Sequence, residues 1–257
     1  MIKSNEWKEY ENRLAGVISK ECFKKINYPR PNKEIIDKLK SIEDPTPTIS
    51  DILDELGING TIPVSVIKPA ISGKVLVGPA LTIKYVPERI VPKQAILESK
   101  SGKLGDKDAY VVSKPGDVIV FDNGGRETIS TIGGLSVRYA LKAGIAGCIV
   151  DGGLRDVSEI RRLGFSAWSR GITPISGKLR VKTIEVNGEV TCGGVLINPG
   201  DLVVADDNGI CIIPYEKVDE VIELTIKAVE NEKKLVIALE EGYNMDKMKD
   251  IIPPEKW

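Results

Sequence analysis

Cys148-Ile149-Val150-Asp151-Gly152-Gly153-Leu154-Arg155-Asp156 is the stretch on which the reading of this chain turns. Cys148–Val150 has the texture of a buried strand, two glycines then offer a turn, and Arg155 and Asp156 open a helix. In α/β proteins ligands usually sit where a strand ends in such a glycine-rich turn. Just upstream, Gly134 to Ala143 reads as a helix. Pro115-Gly116-Asp117 introduces the apolar run Val118–Phe121, and Pro199-Gly200-Asp201 introduces Leu202–Ala205 in the same way. Each Pro-Gly suits the centre of a type II turn, where glycine supplies the positive φ.

Further strands are expected at Val75–Val77 and Ala80–Val86 around a Gly78-Pro79 break, and at Thr183–Val186, Val195–Ile197 and Ile210–Ile213. Asp206-Asp207-Asn208-Gly209 reads as a hairpin turn. The chain closes with a long charged helix from Glu216 to Glu241, stopped by Gly242. Many short strands among helices predict an α/β protein with a compact β/β/α layering. No regular βαβ alternation is visible, and no Gly-x-Gly-x-x-Gly follows a first strand, which argues against a nucleotide-cofactor methyltransferase.

Residues 1–45 form an N-terminal helical extension, residues 46–242 the main domain and residues 243–257 a tail. In the extension, Trp7, Leu14, Val17, Ile18 and Phe23 recur at roughly helical spacing, which predicts an amphipathic helix from about Glu6 to Lys25. Pro29-Arg30-Pro31 breaks it. A further helix is expected to begin near Ser50 as its N-cap and to stop at Gly57.

Composition narrows the chemistry. The 257 residues carry 36 Lys+Arg against 37 Asp+Glu, a net charge of −1, which leaves no electrostatic footprint for nucleic acid. No apolar run approaches a membrane span, and the polar start is no secretory signal. There is no histidine, so imidazole acid/base chemistry, Ser-His-Asp machinery and His-ligated zinc are excluded. Cys148, Cys192 and Cys211 lie in or beside apolar runs, Cys22 stands apart, and none forms a C-x-x-C pair; free thiols in a reducing cytoplasm are expected.

Arg155 and Asp156 suit a ligand site. An arginine fork grips a carboxylate or enolate oxygen, and an aspartate holds a hard cation directly or through water. On spacing alone, an Asp156 that complements a helix N-terminus and an Arg155 in a surface ion pair account for the same residues. Asp122-Asn123-Gly124-Gly125-Arg126-Glu127, leading to Ile132-Gly133-Gly134-Leu135, offers backbone N–H groups for an anion, but is equally an ordinary turn. Trp168 and Phe165 read as core or interface aromatics, and the charges of the last long helix as a solvated face.

Taken together, Ile49-Ser50-Asp51-Ile52-Leu53, Gly78-Pro79-Ala80-Leu81-Thr82, Gly147 through Asp156, Arg161 to Gly164 and Pro199 to Pro214 resemble the RraA-like family. That family includes the regulator of ribonuclease activity A and the class II 4-hydroxy-4-methyl-2-oxoglutarate / 4-carboxy-4-hydroxy-2-oxoadipate aldolases. The resemblance implies a β/β/α swivelling-domain fold, a homotrimer or homohexamer, and a site between subunits that uses Mg²⁺ or Mn²⁺. It implies that Asp156 anchors the metal, mostly through waters, and that Arg155 binds the oxygens of a small-molecule 2-oxo acid. Backbone at Gly133, Gly134, Leu135 and Ser136 would receive the carboxylate, and Glu232 of a neighbouring subunit, with Glu230 next, would complete the water shell. The function so implied is a divalent-metal-dependent lyase of aldolase or decarboxylase type that passes through a pyruvate enolate. The alternatives are a non-catalytic regulator that binds another protein and a metal-dependent sugar-acid lyase or dehydratase. One departure stands out: the aldolases' acidic residue after the loop glycine falls here on Gly134, with Glu127 or Asp122 as candidate substitutes. The extension is also long for the family, and is placed to close over the site or over a subunit contact.

Overall fold

A computed structural model describes residues 2, 4–242 and 244–253. The tail expected at 243–257 lies partly outside the described residues; within it, α9 (Met245–Ile251) is helical.

The elements run α1 (Ser4–Trp7), α2 (Lys33–Lys40), α3 (Pro45–Glu55), β1 (Thr61–Pro63), β2 (Lys68–Pro69) and β3 (Leu76–Pro87). Then come α4 (Pro92–Leu97), α5 (Asp106–Val112), β4 (Val118–Ile132), α6 (Gly134–Lys142), β5 (Gly147–Leu154), α7 (Val157–Arg162) and β6 (Ser166–Ile172). The chain continues through β7 (Val181–Val186), β8 (Val190–Cys192), β9 (Val195–Ile197), β10 (Leu202–Ala205), β11 (Gly209–Ile213) and α8 (Val218–Glu240).

One sheet follows the order β1-β11-β10-β3-β4-β5-β6-β2, with β7 also pairing β3. Its centre, β3-β4-β5-β6, is parallel, whereas β10, β11, β1, β2 and β7 join antiparallel. The central strands are linked through α4 and α5, then α6, then α7, so the βαβ alternation absent from the sequence reading is present.

The period of two sorts the strands between two faces. Ile119 and Phe121 join Cys148, Val150 and the helix residues Val137 and Ile160 in one core. Val118 and Val120 join Ile149, Trp168 and the β8–β9 hairpin residues Val190, Cys192 and Ile197 in another. Helices thus cover one face of the sheet and β-structure the other, the layered α/β arrangement expected. A third core lies under α2, α3 and α8, against Val77, Val204 and Cys211. Phe165 and Trp168 are core residues, and Cys148, Cys192 and Cys211 are free and buried.

Several boundaries differ from expectation. β3 runs unbroken through Gly78-Pro79. Gly78 is needed there because a Cβ would sit 2.2 Å from the Gly116 carbonyl oxygen and 2.9 Å from Val118 Cγ2. Gly78→Ala is therefore expected to cost about 3 kcal/mol through overpacking, read as a lowered urea midpoint; a midpoint equal to wild type would refute the close approach. Gly116 and Gly200 take φ of +92° and +99°, as the turn reading requires. β5 likewise continues through Gly152 and Gly153, and these are glycines because a Cβ at either would strike Asn123 or the Glu127 carbonyl. α3 starts at Pro45 rather than near Ser50, since Pro45 and Pro47 both fall in the first turn, where a missing N–H is tolerated.

The expected long helix from Glu6 to Lys25 does not form. That segment holds α1 and two 3₁₀ turns, Glu11–Arg13 and Lys20–Cys22, with Gly16 at φ +70° between them. Its apolar residues still find the core: Trp7 and Phe23 meet edge to face at 5.1 Å, beside Tyr10, Ile26 and Tyr28. Two buried aspartates fasten it. Asp108 accepts the backbone N–H groups of Gly16, Val17 and Ile18 at 3.0, 2.8 and 3.1 Å. Asp117 accepts the Tyr28 hydroxyl at 2.6 Å, the Arg30 Nε and Nη2 groups at 2.9 and 3.0 Å, and the Lys114 N–H at 2.7 Å. No described helix is long and apolar enough to cross a membrane.

Candidate active site

The parallel centre of the sheet positions the site. β5 is buried throughout and delivers Arg155 at its end, where the Arg155 N–H still donates to the Ile132 carbonyl at 3.2 Å. Asp156 follows in the left-handed region, with φ 57° and ψ 36°, at the N-cap of α7. Its side chain does not cap that helix. Oδ2 instead accepts the N–H of Gly134, the first residue of α6, at 3.0 Å, and lies 3.4 Å from Arg155 Nε. Both parts of the alternative drawn from spacing are present: Arg155 makes a surface ion pair, with Asp156, and Asp156 complements a helix N-terminus, that of the neighbouring α6 rather than of α7.

Glycine at 133 follows from this proximity, because a Cβ would sit 2.7 Å from Asp156 Oδ2 and 2.8 Å from Arg155 Cγ. At Gly134 a Cβ would fall 2.0 Å from Glu159 Oε2. The place where residue 134 would project a side chain is occupied by the Glu159 carboxylate, which Arg138 Nε holds at 2.7 Å. Neither residue expected as a substitute carboxylate does this. Asp122 is buried with its oxygens on the Gly124 and Thr191 N–H groups, Glu127 is exposed, and neither lines the cleft.

Arg155 and Asp156 stand at a cleft of about 440 Å³ together with Gly133, Leu135 and Ser136. The first turn of α6 contributes N–H groups without intrahelical partners, although that of Gly134 is taken by Asp156. Arg155 and Asp156 side chains are 41% and 43% exposed, so both are open to a ligand. Glu232 and Glu230 are exposed on α8 and do not line this cleft of their own chain.

The remaining lining was not legible as a motif. Asp106 and Lys107 come from the start of α5, Ser176 and Lys178 from the loop before β7, and Val17 from the N-terminal segment. The cleft thus gathers three cations, Lys107, Lys178 and Arg155, and two carboxylates, Asp106 and Asp156. Asp106 accepts the Ser136 hydroxyl at 2.5 Å, and Ser136 Oγ lies 2.7 Å from the Tyr110 hydroxyl. Ser136 gives its one hydroxyl proton to Asp106, which leaves Tyr110 as the donor to Ser136. Burial, then the nearby Asp106 charge, pushes the Tyr110 hydroxyl well above its usual range.

Known proteins resemble this chain in sequence and fold. DlpA of Legionella pneumophila is 32% identical over 241 residues, which is 91% of this chain; the chain spans only 37% of DlpA's length. A protein of Halalkalibacterium halodurans named "Putative 4-hydroxy-4-methyl-2-oxoglutarate aldolase" is 35% identical over 70% of this chain and 77% of its own. Among solved structures, RraAS2 of Streptomyces coelicolor, described as an unusual member of the RNase ES inhibitor RraA protein family, has a TM-score of 0.66. It is 30% identical and covers 80% of this chain and 98% of its own. An uncharacterized protein from Pseudomonas syringae has a TM-score of 0.72 at 26% identity, covering 86% of this chain and 100% of its own. A model of the RraA-like family, Aldolase/RraA, matches residues 46–212, and to that family this chain belongs.

Proposed function

We propose that the cleft is the active site of a divalent-metal-dependent carbon–carbon lyase that cleaves or decarboxylates a small 2-oxo acid by way of a pyruvate enolate. The observation that carries this reading is the placement of Arg155 and Asp156, half-exposed and side by side, over the first turn of α6 in a cleft that also holds two lysines. The aldolase name of the H. halodurans relative supports it.

The donors suit a hard cation. Asp156 is a lone oxygen ligand, and no cluster of three His, Cys, Asp or Glu exists among the described residues. Mg²⁺ and Mn²⁺ tolerate this, since they keep several waters and need one or two carboxylates. Asp156 would hold the metal, with Glu232 of a second copy reaching its water shell in a homotrimer or homohexamer. When bound, the cation supplies charge stabilisation to the enolate oxygen. Arg155 adds a fixed positive fork for the 2-oxo and carboxylate oxygens. Gly133 keeps this corner narrow, and the N–H groups of the first α6 turn face the same anion.

Oxaloacetate decarboxylation and pyruvate methyl-proton exchange test the reading, each with Mg²⁺ or Mn²⁺ and again with EDTA. Metal-dependent turnover that falls at least ~100-fold in Asp156→Ala is expected. A folded, metal-supplied protein inactive on every 2-oxo acid would sink it. One observation favours a docking protein without turnover instead: residue 134 carries no acid, and Glu159, which fills its place, is tied to Arg138. A metal-dependent sugar-acid lyase or dehydratase would appear in the same assays as turnover of hydroxy acids alone.

A further inference from the structure

The first turn of α6 is fastened from two sides. From the end of β5, Asp156 Oδ2 takes the Gly134 N–H. From α5, Asp106 Oδ2 accepts the Ser136 hydroxyl at 2.5 Å, and the Tyr110 hydroxyl, 2.7 Å from the same Ser136 oxygen, donates to it. Asp106 and Tyr110 stand one turn apart on α5, so a single helix face grips one hydroxyl twice. All three side chains are buried. Asp106 Oδ2 also lies 3.4 Å from Lys107 Nζ, while Oδ1 is buried and closed to any ligand. The carboxylate therefore acts on the cleft only through what it holds. What it holds is a turn with free donors: the N–H groups of Leu135 and Ser136 precede the first hydrogen bond of α6, from the Val137 N–H to the Gly133 carbonyl. Both residues line the cleft together with Arg155.

We infer that Asp106, braced by Tyr110, is a positioning residue: through Ser136 it holds the first turn of α6 so that the free N–H groups and Arg155 receive one substrate carboxylate. The inference rests on the lyase reading above, and the group received is the C1 carboxylate of the 2-oxo acid. That carboxylate keeps its charge from bound substrate to enolate, so its contacts are equally strong in both. Their loss weakens binding and leaves the bond-breaking step nearly as fast. Charge and position then pull in opposite directions at residue 106. Asp106 is a negative group in the wall of a cleft that takes an anion, so on electrostatics alone its removal tightens substrate binding. Loss of its grip on Ser136 loosens binding instead.

This opposition defines the test, oxaloacetate decarboxylation with Mg²⁺. Asp106→Ala is expected to raise KM ~10-fold, against the direction of the charge change, with kcat within ~3-fold of wild type. Asp106→Asn loses the same charge but keeps an oxygen for the Ser136 hydroxyl, so its KM should return to within ~2-fold of wild type or fall below it. Ser136→Ala leaves the charge in place and removes both links, so it should match Asp106→Ala, and it serves if that variant does not fold by circular dichroism. Calorimetric titration with oxalate, which carries paired planar oxygens like those of the enolate, should weaken in the same order. KM unmoved in Ser136→Ala, KM lowered in Asp106→Ala, or KM raised as much by Asn as by Ala at residue 106 would each overturn the positioning role while wild-type turnover upholds the lyase reading. A wild-type protein without turnover overturns the lyase reading, and this inference with it.

Discussion

Asp117→Ala is expected to lower the free energy of unfolding by about 3–5 kcal/mol, measured by urea denaturation. The carboxylate is wholly buried and gathers four donors: the Tyr28 hydroxyl, two nitrogens of Arg30 and the Lys114 N–H. Its removal strands a guanidinium that is only 24% exposed and a phenol that burial, then the Asp117 charge, holds far above its usual range. The guanidinium also stacks 3.9 Å from the Tyr28 ring centroid, so both side chains lose their place together. Against a total stability of about 5–15 kcal/mol for an ordinary domain, this is a large fraction. A loss below about 1 kcal/mol would show that the segment up to Arg30 contributes little to the folded state.

Arg155→Ala is expected to lower kcat/KM for oxaloacetate by about 10²–10³, the scale of losing one preorganised charge partner of an oxyanion. Thermal stability should barely change, because the side chain is 41% exposed and its one ion pair, to Asp156, is open to solvent. The anchoring bond to Ile132 uses the backbone and survives the substitution. Arg155→Lys separates charge from shape. It keeps the positive charge but loses the two-pronged fork, so it should recover only part of the activity. Full activity in Arg155→Lys would reduce the role to a point charge, and full activity in Arg155→Ala would remove the residue from the reaction.

The sequence was most informative where a local rule had one solution. Pro115-Gly116 and Pro199-Gly200 each demand a positive φ, and the strands after them are where the turns place them. Gly133 and Gly134, twenty-odd residues before Arg155, lie beside Arg155 and Asp156, because a parallel strand pair brings its two C-terminal ends together. The βαβ alternation escaped because α4, α5 and α7 have six, seven and six residues. Fewer than two turns do not repeat an apolar stripe often enough to show a period. The N-terminal helix was over-read for the opposite reason. Trp7 and Phe23 are apolar because they pack on each other in the core and Val17 because it lines the cleft, and their spacing imitates a helix that Gly16 interrupts. Asp106, Lys107 and Lys178 carry no motif; only tertiary pairing brings them beside Arg155.

The hold of Asp108 on residues 16–18 is exerted entirely through main-chain N–H groups. Such a grip does not depend on which side chains those residues carry. Val17, which faces the cleft, can therefore be exchanged for a larger, smaller or polar residue while the peg that seats it stays unchanged. The segment also lies outside residues 46–212, where the family pattern resides. On the function proposed above, selectivity can thus drift in a replaceable panel at the edge of the cleft, with Arg155 and Asp156 left untouched.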